Sequence, residues 1–180
     1  YMAIRDDVPL ALYRLGDSGS TAAVSLAGTY TTRSSLPPAG SYSAGVTKSR
    51  AALVHPEETD KAIELSPTSD YMDIGAFSHA DVDRGFAVEV WMQLPSAKPS
   101  GGPVPLLSDY SGGSYSFRVL YHANGSIAAT LSTADGNTTL TTAAEAPRGE
   151  PFHLALSLDA RFGEFELYVD GTRPASYESG

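Results

Sequence analysis

From Ala51 onward, short apolar runs recur about every 8–12 residues with turn residues between them, the spacing of an all-β sandwich or barrel. The runs are Ala52–Val54, Ala62–Leu65, Tyr71–Ile74, Phe86–Leu94, Val104–Leu107, Tyr115–Tyr121, Ile127–Leu131 and Thr138–Thr142. The clearest pattern follows them at Phe152–Gly171. There Phe152, Leu154, Leu156 and Leu158 alternate with His153, Ala155 and Ser157, and Phe165, Leu167 and Val169 alternate with Glu164, Glu166, Tyr168 and Asp170. A period of two is that of a strand with one buried face, so this stretch predicts two antiparallel strands joined across Asp159–Gly163. Asp170-Gly171, a pair that accepts the positive φ angles of a tight hairpin, then predicts a third strand. Asn124-Gly125 and Asp135-Gly136 mark two further turns between alternating runs.

Helix signals are confined to a turn within residues 1–8 and another at Ser78–Arg84, where Ser78 can act as a cap. Pro9–Leu15 reads as a first strand entered through proline. Residues 16–45, rich in Gly, Ser, Pro and Ala, read as a long surface connection with one weak strand near Ser25–Thr32, and Pro95–Pro105 reads as a loop between strands. The expected organisation is one domain over residues 1–180, with residues 1–8 as a lead-in, cut from a longer chain.

Composition excludes several functions. There is no cysteine, hence no disulfide framework and no thiolate chemistry. The net charge is −9 and the 12 basic residues are scattered, which argues against a nucleic-acid surface. No apolar stretch approaches the ~20 residues of a membrane span. Nine arginines against three lysines, with abundant alanine, is the bias of GC-rich genomes.

Enzymatic constellations are absent at the level of local motifs. No Glu-x-Asp-x-x-Glu strand of the glucanase type occurs; Glu164 and Glu166 share a strand face without a third acid and read as a solvated face. His55, His79, His122 and His153 lack metal-ligand spacing, and no Gly-x-Ser-x-Gly elbow is present. The chain is therefore expected not to be an enzyme, and no cofactor is expected. Calcium has conceivable ligands in Asp81 with Asp83, or Asp17 with Asp170, although neither pair follows an EF-hand pattern.

Stacking is the binding chemistry that the residues favour, because sugar C–H faces pack on aromatic rings while nearby polar groups hold hydroxyls. On the Phe86–Leu94 strand, Phe86, Val88, Val90, Met92 and Leu94 take one face, and Glu89, Trp91 and Gln93 take the other. Trp91 between two polar side chains suits a ligand platform; a sheet filler is the alternative. Tyr110, Tyr115 and Tyr121 are further candidates at a rim. Asn124-Gly-Ser and Asn137-Thr-Thr match the glycosylation sequon, but both lie in turns that account for the asparagine.

FAVEVWMQ at Phe86–Gln93, Leu106-Leu107-Ser108, the hairpin SYSFRVLYHANGSIAATL, then FHLALSLD and ELYVDGT resemble, in that order, the laminin-G-like domain, a concanavalin-A-like jelly roll. Lys61–Ile74 is similar to the entry of that family into its sheets. The resemblance covers about residues 9–175 and implies a two-sheet antiparallel jelly-roll sandwich. Tyr1, Asp7-x-Pro9-x-Ala11 and Tyr13-Arg14-Leu15-Gly16-Asp17 resemble more narrowly the opening of such domains in minor tail proteins of phages that infect actinobacteria, and in some secreted actinobacterial proteins. Two departures stand out. The acidic residue that often follows the Arg-Leu-Gly motif is missing from Ala22–Gly28, which removes a ligand from any calcium site built on it. Nine residues follow Gly171, where the family adds two more strands, so the last closing strands are expected to be lacking.

What the resemblance implies is a non-catalytic adhesion or carbohydrate-recognition module of a phage minor tail protein. The implied location is the virion tail, and the implied partners are host cell-surface polysaccharide and other tail proteins, with a homo-oligomer allowed. The alternatives are a structural decoration domain, a secreted bacterial adhesin domain, or a glucanase-type hydrolase.

Overall fold

The computed structural model describes residues 11–13, 15, 21–22, 24–27, 39–53, 61–66, 69–74, 85–111 and 113–178. The chain divides into two compact units, residues 1–79 and 80–180. All regular structure among the described residues is β. None of it forms a helix long and apolar enough to cross a membrane.

The first unit is made of short strands. β1 (Ala11–Tyr13) pairs with β3 (Val24–Ala27), while β2 (Thr21–Ala22), β4 (Gly40–Tyr42) and β7 (Met72–Asp73) form a three-stranded sheet. β5 (Thr47–Ala51) pairs with β6 (Lys61–Glu64), and Ser49, at φ 60°, lies in the register shift between Thr47 and Arg50. Tyr42 and Val46 are buried here, with Tyr13, Leu15, Ile63 and Met72 packed around them. The weak strand expected near Ser25–Thr32 corresponds to β3. Two expectations change in this unit: the 16–45 connection also holds the paired strands β2 and β4, and the strand expected at Ala52–Val54 is instead the polar run Thr47–Ala51. The reason is that pairing uses backbone N–H and C=O groups and needs no apolar alternation when both faces of a short strand stay wet. The helical turns expected at residues 1–8 and Ser78–Arg84 lie outside the described residues.

The second unit is the predicted antiparallel sandwich. One four-stranded sheet has the order β12 (Gly136–Thr141), β11 (Ile127–Thr133), β10 (Ser114–Tyr121), β9 (Val104–Ser111). The other runs β15 (Thr172–Glu178), β14 (Glu164–Val169), β13 (Pro151–Asp159), β8 (Gly85–Gln93). Their inner faces form one core, in which Val119, Tyr121, Ile127, Phe152, Leu154, Leu156, Phe165 and Leu167 are fully buried. Each such side chain contributes roughly 1.5–3 kcal/mol relative to an exposed one. Phe86 of β8 meets Phe117 of β10 with ring centroids 5.0 Å apart, tilted at 33°. The third strand anticipated after Asp170-Gly171 is β15. The turn has φ 49° at Asp170 and 70° at Gly171, the two positive angles of a type I′ hairpin. It is locked by Asp170 N–H donating to the His153 carbonyl at 2.9 Å and His153 N–H donating to Asp170 Oδ1 at 2.8 Å.

At one end of this sandwich the loops are tied by charge. The Lys98 ammonium donates to the Asn124 carbonyl at 3.1 Å and pairs with Glu145, and Arg148 donates to the Ser96 carbonyl at 2.9 Å. At the other end Gly85 begins β8 at φ 127°. A Cβ there would lie 2.1 Å from the Leu158 carbonyl oxygen, so no other residue fits without moving backbone.

Tyr121 corrects one expectation. It is 2% exposed in the core rather than at a rim, because it continues the Phe117, Val119 alternation. Its hydroxyl has no hydrogen-bond partner. An orphaned buried hydroxyl costs about 1–3 kcal/mol, so Tyr121→Phe is expected to raise the unfolding free energy, read as a higher urea midpoint at unchanged m-value. A lowered midpoint would show that the hydroxyl is satisfied. Gly85→Ala is expected to lower the midpoint strongly.

Candidate functional site

Because the inner face of β8, β13 and β14 is apolar, every second residue projects outward, and strand register decides which of these residues meet. Three rows result. Trp91 lies opposite His153; Glu89 opposite Ala155 and, one strand on, Tyr168; Ala87 opposite Ser157 and then Glu166. Small side chains at Ala87, Ala155 and Ser157 leave a depression between taller neighbours. It is a groove of about 400 Å³ lined also by Glu89, His153, Tyr168 and Gly171.

Trp91 stands beside this groove and is 41% exposed, so it is not a core residue. Its ring leans on the His153 imidazole with centroids 5.2 Å apart and planes at 41°. His153 Nε2 lies 3.2 Å from Glu89 Oε2, so the imidazole joins the tryptophan to a carboxylate in one wall. On the far side, the Tyr168 hydroxyl donates to Glu166 Oε2 at 2.6 Å and Arg173 pairs with Glu166 Oε1. The Tyr168 hydrogen bond, followed by that of Arg173, holds the Glu166 carboxyl below the usual carboxylate range. The same bond to Glu166 raises the Tyr168 phenol. The arrangement therefore offers an aromatic face, small residues that admit a flat ligand, and fixed acceptors at the edges.

The sequence-predicted residues separate. Trp91 and Glu89 come together at the groove. Gln93 shares their face, but its Nε2 donates to the Gly149 carbonyl at 2.9 Å and fastens the 142–150 loop. Tyr110 is 60% exposed on β9, in the opposite sheet. Tyr121 is core. Residues that sequence reasoning left as ordinary strand positions, His153 and Tyr168, complete the groove; the alternation in Phe152–Gly171 put both on the outward face, but not beside Trp91.

Among the described residues no three His, Cys, Asp or Glu side chains gather in a way that would hold a metal ion. Of the calcium candidates, Asp17, Asp81 and Asp83 lie outside the described residues, and Asp170 Oδ1 accepts the His153 N–H.

Residues 66–180, more than half of the chain, match the laminin-G-type family model described as the concanavalin A-like lectin/glucanases superfamily. Among solved structures the chain is similar to the crystal structure of residues 221–444 of an S-layer domain-containing protein from Clostridium thermocellum ATCC 27405. The likeness has 16% identity and a TM-score of 0.50 over 94% of this chain and 72% of that one, and it bears on the fold alone. No curated protein matches the chain.

The Glu166 pair generates a pH dependence of stability. A carboxyl lowered by folding contributes stability above its ordinary value of 4.5, and that contribution is lost as pH falls through the folded value. A phenol raised by folding contributes below its ordinary value of 10.0, and that contribution is lost as pH rises through the folded value. Glu166→Gln is expected to flatten the acid limb of stability against pH, and Tyr168→Phe both limbs, in urea unfolding followed by circular dichroism. An acid limb unchanged in Glu166→Gln would assign it to other carboxylates.

Proposed function

The chain belongs to the concanavalin A-like lectin/glucanases superfamily, and from that premise we propose that it is a non-catalytic carbohydrate-recognition module of the adhesion type. The observation that carries the reading is the exposed Trp91 ring, braced by His153 and Glu89 beside the groove over Ala87, Ala155 and Ser157. A pyranose face packs on the indole, and the Glu89 carboxylate accepts from its hydroxyls. The non-catalytic half of the reading is supported by the sequence, in which no Glu-x-Asp-x-x-Glu strand aligns a nucleophile with an acid. Glu166, held below the usual carboxylate range by Tyr168 and Arg173, is unsuited to the general-acid role.

The finer reading is that the module is mounted in a minor tail protein of an actinobacteria-infecting phage, where it contacts host cell-surface polysaccharide beside other tail proteins. Its support is the motif resemblance at Tyr13–Asp17 and along Phe86–Gly171. An extracellular, surface-associated setting is the coarser form of the same proposal. An antibody against the module labels phage tails on the tail reading and bacterial envelopes on the secreted one.

Affinity electrophoresis against soluble cell-wall polysaccharides tests the binding. Trp91→Ala is expected to weaken it about tenfold or more, about 1.4 kcal/mol, at unchanged melting temperature. Glu89→Gln is expected to weaken it less. Full affinity in Trp91→Ala, or no retardation of the natural sequence at millimolar saccharide, would sink the proposal.

A further inference from the structure

The opposite sheet carries a second cluster of aromatic and charged side chains, away from the Trp91 groove. In the β9–β10 hairpin the register slips between Tyr115 and Phe117, so that Ser116 is an extra residue on β10. Such a bulge re-aims side chains. Tyr115 comes directly opposite Tyr110, with ring centroids 4.8 Å apart and planes at 50°. Both rings are exposed, at 60% for Tyr110 and 42% for Tyr115. The Arg118 guanidinium lies over the Tyr115 ring, 5.6 Å from its centroid.

Arg118 differs from its peers in an acidic chain. Arg50, Arg148, Arg161 and Arg173 each pair with a glutamate or aspartate. Among the described residues, Arg118 is the arginine whose side chain has no carboxylate partner and no hydrogen bond; it lies over the Tyr115 ring instead. A half-buried guanidinium with unspent N–H donors in a protein of net charge −9 selects for an incoming anion, which it can grip through two parallel N–H···O bonds. Ser108 pairs opposite Arg118 on one side, and on the other Thr130 is buried with its Oγ1 3.0 Å from Thr139 Oγ1, so it takes none of the guanidinium's donors.

We infer that Tyr110, Tyr115 and Arg118 form a second binding site, distinct from the Trp91 groove, for a saccharide that carries a carboxylate, the uronic acid class. The tyrosine pair takes the apolar face of the sugar ring and Arg118 takes the carboxylate. A module with sites on both sheets holds an acidic chain and a neutral one at once. The site does not depend on the Trp91 reading.

Isothermal titration with oligogalacturonate and with its fully methyl-esterified form tests it, because esterification removes the charge and keeps the ring. The unmodified protein is expected to bind the acid about tenfold more tightly than the ester, with the difference shrinking as salt rises. Arg118→Gln is expected to erase that difference, Arg118→Lys to restore part of it, and Tyr110→Ala to weaken both ligands. Trp91→Ala is expected to leave the oligogalacturonate affinity unchanged, which separates this site from the groove. Equal affinity for acid and ester, a difference that survives Arg118→Gln, or loss of oligogalacturonate binding in Trp91→Ala would each overturn the inference. So would tighter binding of a glycerol phosphate oligomer than of the uronate, which would assign the guanidinium to phosphate.

Discussion

Phe152, Leu154 and Leu156 are wholly buried in the strand that lies between β8 and β14, and that burial forces His153, Ala155 and Ser157 onto the opposite face. A slip of one residue in this strand would move three large apolar side chains into water and bring a histidine and a serine into the core. That would cost several times the ~1.5–3 kcal/mol of a single side chain. The register is therefore held by the core, and the groove inherits its geometry. Trp91 meets His153 because Val90 and Met92 must meet Leu154 and Phe152. The type I′ turn at Asp170-Gly171 then fixes where the chain re-enters the sheet beside β14.

Charge on this module is mostly settled locally. Asp159 accepts from the backbone and guanidinium of Arg161 two residues on, Lys98 and Arg148 converge on Glu145, and Arg173 reaches Glu166 across the last hairpin. Exposed pairs of this kind are screened by solvent and add little to stability, so their effect is to hold loops and side chains in place more than to stabilise the fold. Against that background the two exposed aromatic features differ in character. The Trp91 face is bordered by the carboxylates of Glu89 and Glu166, whereas the Tyr110 and Tyr115 pair is accompanied by the free guanidinium of Arg118. The two aromatic features thus differ in the charged group that stands beside each ring.

Much of the second unit was legible as sequence. The alternations in Phe86–Gln93, Ser114–Tyr121 and Phe152–Val169 marked strands and faces, since a sandwich core needs period two and those segments are long enough to show it. The first unit was not, because strands such as Thr47–Ala51 and Thr21–Ala22 are short, polar and held by backbone pairing, which leaves no side-chain period to read. β9 ran on from Leu107 to Ser111 through polar residues for the same reason, its partner β10 supplying the pairing. Tyr121 was readable and misread, since counting in twos from Phe117 already put it in the core. Tyr115 was not readable, because the bulge at Ser116 interrupts the count.

By itself the sequence determined an all-β sandwich with tight Gly-containing turns, an acidic module without thiols, and an outward Trp91 beside Glu89, because these follow from composition and from alternation within single strands. The tertiary structure decided which outward residues share a site. It joined His153 and Tyr168 to Trp91, sent Tyr110 to the other sheet, and tied Gln93 to the Gly149 carbonyl. The physical reason is that neighbours across a sheet are set by strand order and register. Those depend on how the whole core packs rather than on any one segment of the chain.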